Sequence, residues 1–182
     1  MPLSQEEISK LTPEQILQIQ KQQCIFCQII NGSVQSRRIY EDELVLAILD
    51  INPANPGHIL LLPKEHYAIL PQIPPEAVYH LMEVAKHLSQ ALIRAFNVKG
   101  TNIFMANGAA AGQRSSHFMI HIIPRMPSDG ITAFNLKGKE FSEKDLAEVQ
   151  SRILEKMSEL MGKRAEEPIN LDRKLPKLGG KS

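Results

Sequence analysis

His117-Phe118-Met119-Ile120-His121-Ile122-Ile123-Pro124-Arg125 sets His, Met and His at every second position of a run that is otherwise apolar and rich in β-branched residues. As a strand, it turns the side chains of 117, 119 and 121 to one face and those of Phe118, Ile120 and Ile122 to the other. One face carries chemistry and the other belongs to a core. Upstream, Asn102-Ile103-Phe104-Met105-Ala106 reads as a second strand. The loop between them, Asn107-Gly108-Ala109-Ala110-Ala111-Gly112-Gln113-Arg114-Ser115-Ser116, is built largely of small residues. A ligand can approach such a backbone closely, and its successive N–H groups can form an anion-binding concavity.

Working outward, Leu44–Ile51 is an apolar strand, Asn52-Pro53-Ala54-Asn55-Pro56-Gly57 is a dense turn signal, and His58–Pro63 is the return strand of an antiparallel pair. Between Pro74 and Asn97 the positions Val78, Leu81, Ala85, Leu88, Leu92 and Ala95 recur at steps of three and four, which predicts an amphipathic helix. Residues 1–23 read as a helical extension, with N-cap patterns at Ser4-x-x-Glu7 and Thr12-Pro13-Glu14-Gln15. Its apolar side, Ile16, Leu17 and Ile19, packs on the domain or takes a partner. Ser142-x-x-Asp145 caps a final helix with Leu146, Val149, Ile153 and Leu160 on one face. The expected organisation is a main domain over 24–130, a C-terminal helical segment packed on it over 131–167, and a flexible tail over 168–182. Strands joined by short turns, with one long helix inserted, predict an α+β domain on an antiparallel sheet.

The chain has 182 residues, enough for one well-buried core, and its 21 basic and 20 acidic residues leave a net charge of +1. That balance argues against nucleic acid or an anionic membrane as a specific partner. The longest apolar runs fall far short of the roughly 20 residues that span a bilayer. Met1–Glu7 lacks the basic start and apolar centre of a secretory signal, so a cytoplasmic location is expected. The two cysteines, Cys24 and Cys27, are spaced Cys-x-x-Cys. In a reducing compartment that pattern leaves metal binding, redox chemistry or plain burial.

The loop ending in Gly112-Gln113 and the run that follows it closely resemble the signature of the histidine-triad (HIT) superfamily of nucleotide hydrolases and transferases. That signature reads His-x-His-x-His-x-x, and its middle His is the nucleophile that carries a covalent nucleotidyl group. Here the middle position is Met119. The resemblance spans roughly Cys24 to Arg125 and implies a five-stranded antiparallel sheet with two main helices, often paired into a homodimer. It also implies that Leu49-Asp50-Ile51 and Pro56-Gly57-His58 hold the base and ribose of a purine nucleotide, Asp50 accepting from the ribose hydroxyls. Gln113 and His121 would then serve the phosphate or the leaving group. Two departures stand nearby: Ala106 occupies a position where many relatives carry Asn, which Asn107 would replace from next door, and Arg114 adds a guanidinium able to grip phosphate.

In zinc-containing proteins similar to these, the positions matching His66 and His117 complete a site with the Cys-x-x-Cys pair, so the resemblance implies a structural zinc on Cys24, Cys27, His66 and His117. Spacing alone does not yield this set. Met119 has no proton to lose and its sulfur is a poor match for phosphorus, so the covalent route is expected to be impaired. His121 lies two residues further along, roughly 6.5–7 Å by strand rise, too far to attack an identically posed substrate. Two alternatives stay open: hydrolysis through another nucleophile such as His121, His58 or a bound water, and metal binding as the function itself, in which Met119 is a soft Cu(I) ligand rather than a gap-filling side chain. His80 and His87, seven apart on the long helix, read as a solvent-exposed pair.

Overall fold

Five strands form one antiparallel sheet: β1 (Arg38–Glu41), β2 (Val45–Leu49), β3 (Ile59–Pro63), β4 (Gly100–Phe104) and β5 (Ile120–Arg125), in spatial order β1-β2-β3-β5-β4. Among the described residues there are four α-helices: α1 (Pro13–Gln23), α2 (Ile25–Ile30), α3 (Pro75–Phe96) and α4 (Glu143–Met161). This computed structural model describes residues 11–132, 138 and 142–161. The chain divides into two units, Met1–Thr132 and Ala133–Ser182. The Ser4 cap pattern, the end of the last helix and the tail lie outside the described residues.

β2 and β3 are apolar without alternation because helices cover both faces of the sheet. On one face Val45, Ala47, Ile59, Leu61, Phe118, Ile120 and Ile122 pack against Leu81, Val84, Ala85, Leu88 and Leu92 of α3. On the other, Leu46, Ile48, Leu60 and Leu62 pack against Ile29 of α2, with Phe26, Ile30, Val34 and Met119 at the margin. Each fully buried Val, Leu, Ile or Phe among them contributes about 1.5–3 kcal/mol by leaving water, more than local strand propensity supplies.

The structure shifts several boundaries. The regular ladder of β5 starts at Ile120, not at His117. In continued register Phe118 would face Pro63, which has no N–H to donate. Phe118 instead donates its N–H to Tyr67 O at 2.7 Å. The alternation survives this break, since Phe118 and Ile120 enter the α3 core while Met119 joins the opposite cluster. Ala95 is exposed rather than on the packed face of α3, whose end is marked by Asn97 in the left-handed region at φ 50°. β1 and α2 were not anticipated individually. The Thr12 capping box forms as expected, with reciprocal bonds to Gln15, and Ser142 and Asp145 exchange the same pair at the start of α4.

The 52–57 turn closes against the sheet at Gly57. Its φ is +90°, and a Cβ there would stand 3.1 Å from the Phe96 ring and 3.3 Å from Leu92. This close approach places the next residue, His58, inside the fold, where it is buried. Gly57→Ala is expected to lower unfolding free energy by about 1–3 kcal/mol through strain in φ and crowding of α3. Urea denaturation would register this as a lower midpoint at unchanged slope; an unaltered midpoint would contradict the packing described.

Candidate functional site

Cys24 sits at the junction of α1 and α2, Cys27 within α2, His66 in the loop after β3, and His117 just ahead of β5. These four residues, far apart in sequence, present ligand atoms that all lie within 4.8 Å of one another. His117 Nδ1 is 3.6 Å from each cysteine sulfur, and His66 Nδ1 is 3.2 Å from Cys27 Sγ. A tetrahedral zinc with ordinary Zn–S and Zn–N bonds separates sulfur from nitrogen by roughly 3.6 Å, so the donor set and its edges fit that ion. His117 also has the outer partner such a ligand needs. Its Nε2 donates to Pro63 O at 2.9 Å, which leaves the Nδ1 lone pair facing the sulfurs.

Burial dominates the electrostatics of the cluster. It lowers the His117 pKa to about 4, against the pull of the Pro63 carbonyl, so the ring is neutral near pH 7. Burial, and next the nearby Lys21 ammonium, shift His66 in the same direction. Burial, together with the neighbouring Cys24, pushes the Cys27 thiol up to about 12. Lys21 of α1 pairs with Glu65 beside the cluster, fastening the helical extension to the same loop.

Next to this cluster lies a cavity of about 860 Å³. Its apolar wall includes Ile25, Phe26, Ile29, Val34, Ile48 and Leu60, and its polar lining includes Asp50, Gln113, Arg114, Ser115 and His121. Ile51, which is 90% exposed, stands at its rim, and Met119 and Gly112 also line it. Cys24 belongs to both the Cys/His cluster and the cavity wall. Asp50 Oδ1 accepts from Asn52 N at 2.8 Å, and Oδ2 lies 3.4 Å from His58 Nδ1. His58 is buried behind the wall, with Nε2 at 3.0 Å from His121 Nδ1.

Two residues singled out in the sequence stand differently from expectation. Asn107 is absent from the cavity wall; its Oδ1 accepts from Leu70 N at 2.8 Å and anchors the loop to the turn after β3. Gln113 reaches the wall but commits its amide to the backbone: Nε2 donates to Ala68 O at 2.6 Å and Ser115 O at 2.8 Å, and Oε1 accepts from Gly108 N at 2.7 Å. It shapes the loop. His80 also differs from the exposed pair expected of it, since Nε2 meets Asp42 Oδ2 at 2.7 Å in a half-buried contact, while His87 is exposed. The sequence reading passed over the apolar wall. Phe26 and Ile29 fall between the two cysteines and the end of a six-residue helix, too short for a periodic signal.

The five-stranded antiparallel sheet with its helices matches the fold of histidine-triad proteins of known structure. A HIT family protein from Bacillus subtilis superposes with a TM-score of 0.68 at 34% identity, covering 73% of this chain and 96% of that one. A zinc-bound histidine triad family protein from Mycobacterium smegmatis gives 0.59 at 33% identity, covering 72% and 99%. The chain belongs to the HIT family: the HIT domain model matches residues 31–128. Among curated relatives, a HIT-like protein of Methanocaldococcus jannaschii is 42% identical over 71% of this chain and 98% of its own. An adenylylsulfatase of Arabidopsis thaliana is 42% identical over 60% of this chain and 56% of its own.

Gln113→Leu is expected to leave the Gly108 amide and the Ala68 and Ser115 carbonyls without their present partner. The loss should be about 1–3 kcal/mol in stability, with faster amide exchange concentrated at residues 107–116. Unchanged exchange in that loop would remove the bracing role of Gln113.

Proposed function

We propose that the chain is a nucleotide-binding HIT protein in which a zinc ion is structural and covalent catalysis is impaired. The observation that carries the reading is the cavity itself. An apolar slot of Phe26, Ile29, Val34 and Ile48 suits a purine, Asp50 beside it suits the ribose hydroxyls, and Arg114, Gly112 and His121 suit the phosphoryl group. Gln113 supports that end by bracing the loop. In this reading Met119 stands where the family motif has its nucleophilic His, supported by the His-x-Met-x-His pattern, and Met119 lines the same cavity while packing against the sheet. A thioether there contributes packing and no attacking nitrogen.

Cys24, Cys27, His66 and His117 would hold the zinc. A closed set of two sulfurs and two imidazoles leaves no open position for substrate, so the ion supplies cross-linking of α2, the β3 loop and the arm before β5. A homodimer is supported by β4, an edge strand with Ile103 and Phe104 exposed, and by the exposed Tyr79, Met82, Ile93 and Phe96 of α3. No helix among the described residues is long and apolar enough to cross a membrane. The net charge of +1 favours a small-molecule role over a surface that grips nucleic acid.

Calorimetry with AMP is expected to give one site per chain, while an adenosine phosphoramidate releases no AMP. Met119→His should restore release in the same pocket. Absence of AMP binding would overturn the reading, and turnover by the unaltered chain would move the chemistry to His121, His58 or a bound water. For the metal, elemental analysis is expected to find one zinc per chain. Cys27→Ala or His66→Ala should lose it with a fall in Tm of several degrees or more, the order expected for a lost structural site. Full zinc content in both variants would contradict the assignment.

A further inference from the structure

The position of one proton can be followed through three residues. The backbone N–H of Ala54 meets His58 Nδ1 at 3.1 Å. A backbone amide only donates, so this nitrogen of a neutral His58 is the acceptor and the ring carries its proton on Nε2. That Nε2 lies 3.0 Å from His121 Nδ1. Since His58 supplies the hydrogen in this contact, His121 Nδ1 accepts it, and the proton of His121 is on its other nitrogen, Nε2. Burial lowers the pKa of both rings; Asp50 opposes this in each case without reversing it, and His58 adds to it at His121. Both imidazoles are therefore neutral near pH 7.

Asp50 is the competitor in this arrangement. A proton on His58 Nδ1 would face Asp50 Oδ2 at 3.4 Å, but it would also point at the Ala54 amide hydrogen at shorter range. The amide decides the tautomer. Asp50, His58 and His121 also lie close enough to share a cation, but a cation between the two rings would have to displace the proton they already share. His121 lines the cavity beside Met119 and Gly112, and its Nδ1 edge is occupied by His58.

We propose that the Ala54 amide and His58 are positioning groups that hold His121 as its Nε2–H tautomer, so that the cavity meets a phosphoryl oxygen with a neutral donor and offers phosphorus no imidazole lone pair. The identity of the ligand rests on the nucleotide reading; the tautomer does not. With a thioether at 119 and a protonated nitrogen at 121, this strand supplies neither nucleophile nor general base. The site is thereby specific for a group that only accepts hydrogen bonds, the non-bridging oxygens of a phosphate ester or anhydride. A water activated by His121 would first require the proton to leave Nε2, and the Ala54 amide blocks the relay that would carry it to Asp50.

The test is a long-range proton–nitrogen correlation spectrum of the full zinc-loaded chain, labelled with nitrogen-15 at histidine and recorded near pH 8 without ligand. The expected result is a protonated Nε2 and an unprotonated Nδ1 in both His58 and His121. A proton on Nδ1 of His121 overturns the proposal. His58→Phe removes the donor and should leave His121 in mixed tautomers, with AMP affinity reduced roughly threefold to tenfold. His58→Gln, whose amide can donate to His121 and accept from Ala54, should keep the single tautomer. One unchanged tautomer in His58→Phe would overturn the role of His58, and if that variant fails to fold, the spectrum of the unaltered chain decides. Failure of AMP to bind the unaltered chain would defeat the nucleotide reading, while the ligand-free spectrum would still decide the tautomer.

Discussion

One buried imidazole ties the structure together. His117 has no exposed surface, and each of its nitrogens has a separate task. Nε2 holds the carbonyl of Pro63 where β3 leaves the sheet, and Nδ1 faces the sulfurs of Cys24 and Cys27. The Nδ1 lone pair requires a neutral ring, and burial favours it against the pull of the Pro63 carbonyl. Through this residue the helical extension, the exit of β3 and the arm entering β5 meet at one point. Two positions further along that arm is Met119 and four along is His121, so the geometry of the cavity follows from the geometry of the cluster.

The two faces of the sheet divide the labour. The face under α3 is a conventional apolar core, and its alternation with the opposite face runs unbroken from Phe118 to Ile122 even though the ladder begins only at Ile120. The face under the short α2 is only partly covered, and the uncovered part is the cavity. Phe26 and Met119 sit at the margin of the packed cluster and in the cavity wall at once. A substitution at 119 therefore reshapes the cavity wall without dismantling the core, since a flexible thioether fills irregular space at modest cost.

Much of this was legible in the sequence, for physical reasons that also explain the rest. α3 is long and periodic, so Leu81, Ala85, Leu88 and Leu92 could be read directly, whereas the buried Val84 was missed, Val78 is only partly buried and Ala95 near the helix end is exposed. β1 was invisible as a strand because all four of its residues are exposed and none contributes to the core pattern. The Cys/His cluster unites residues up to 93 positions apart, and no local spacing encodes it; the family likeness brought His66 and His117 to Cys24 and Cys27. Backbone partners leave no mark in a sequence. The Ala54 amide on His58, the carbonyls that occupy Gln113, and the Leu70 amide that draws Asn107 away from the cavity all required the fold.

The most direct test of the account is a crystal structure of the zinc-grown protein with AMP, with anomalous scattering measured at the zinc edge. The account predicts one metal peak among Cys24, Cys27, His66 and His117, the base against Phe26 and Ile29, the ribose on Asp50, and an uncleaved phosphate facing Met119 and His121 with no covalent link to the protein. A phosphorus bonded to a side chain, or AMP seated away from Asp50, would contradict it.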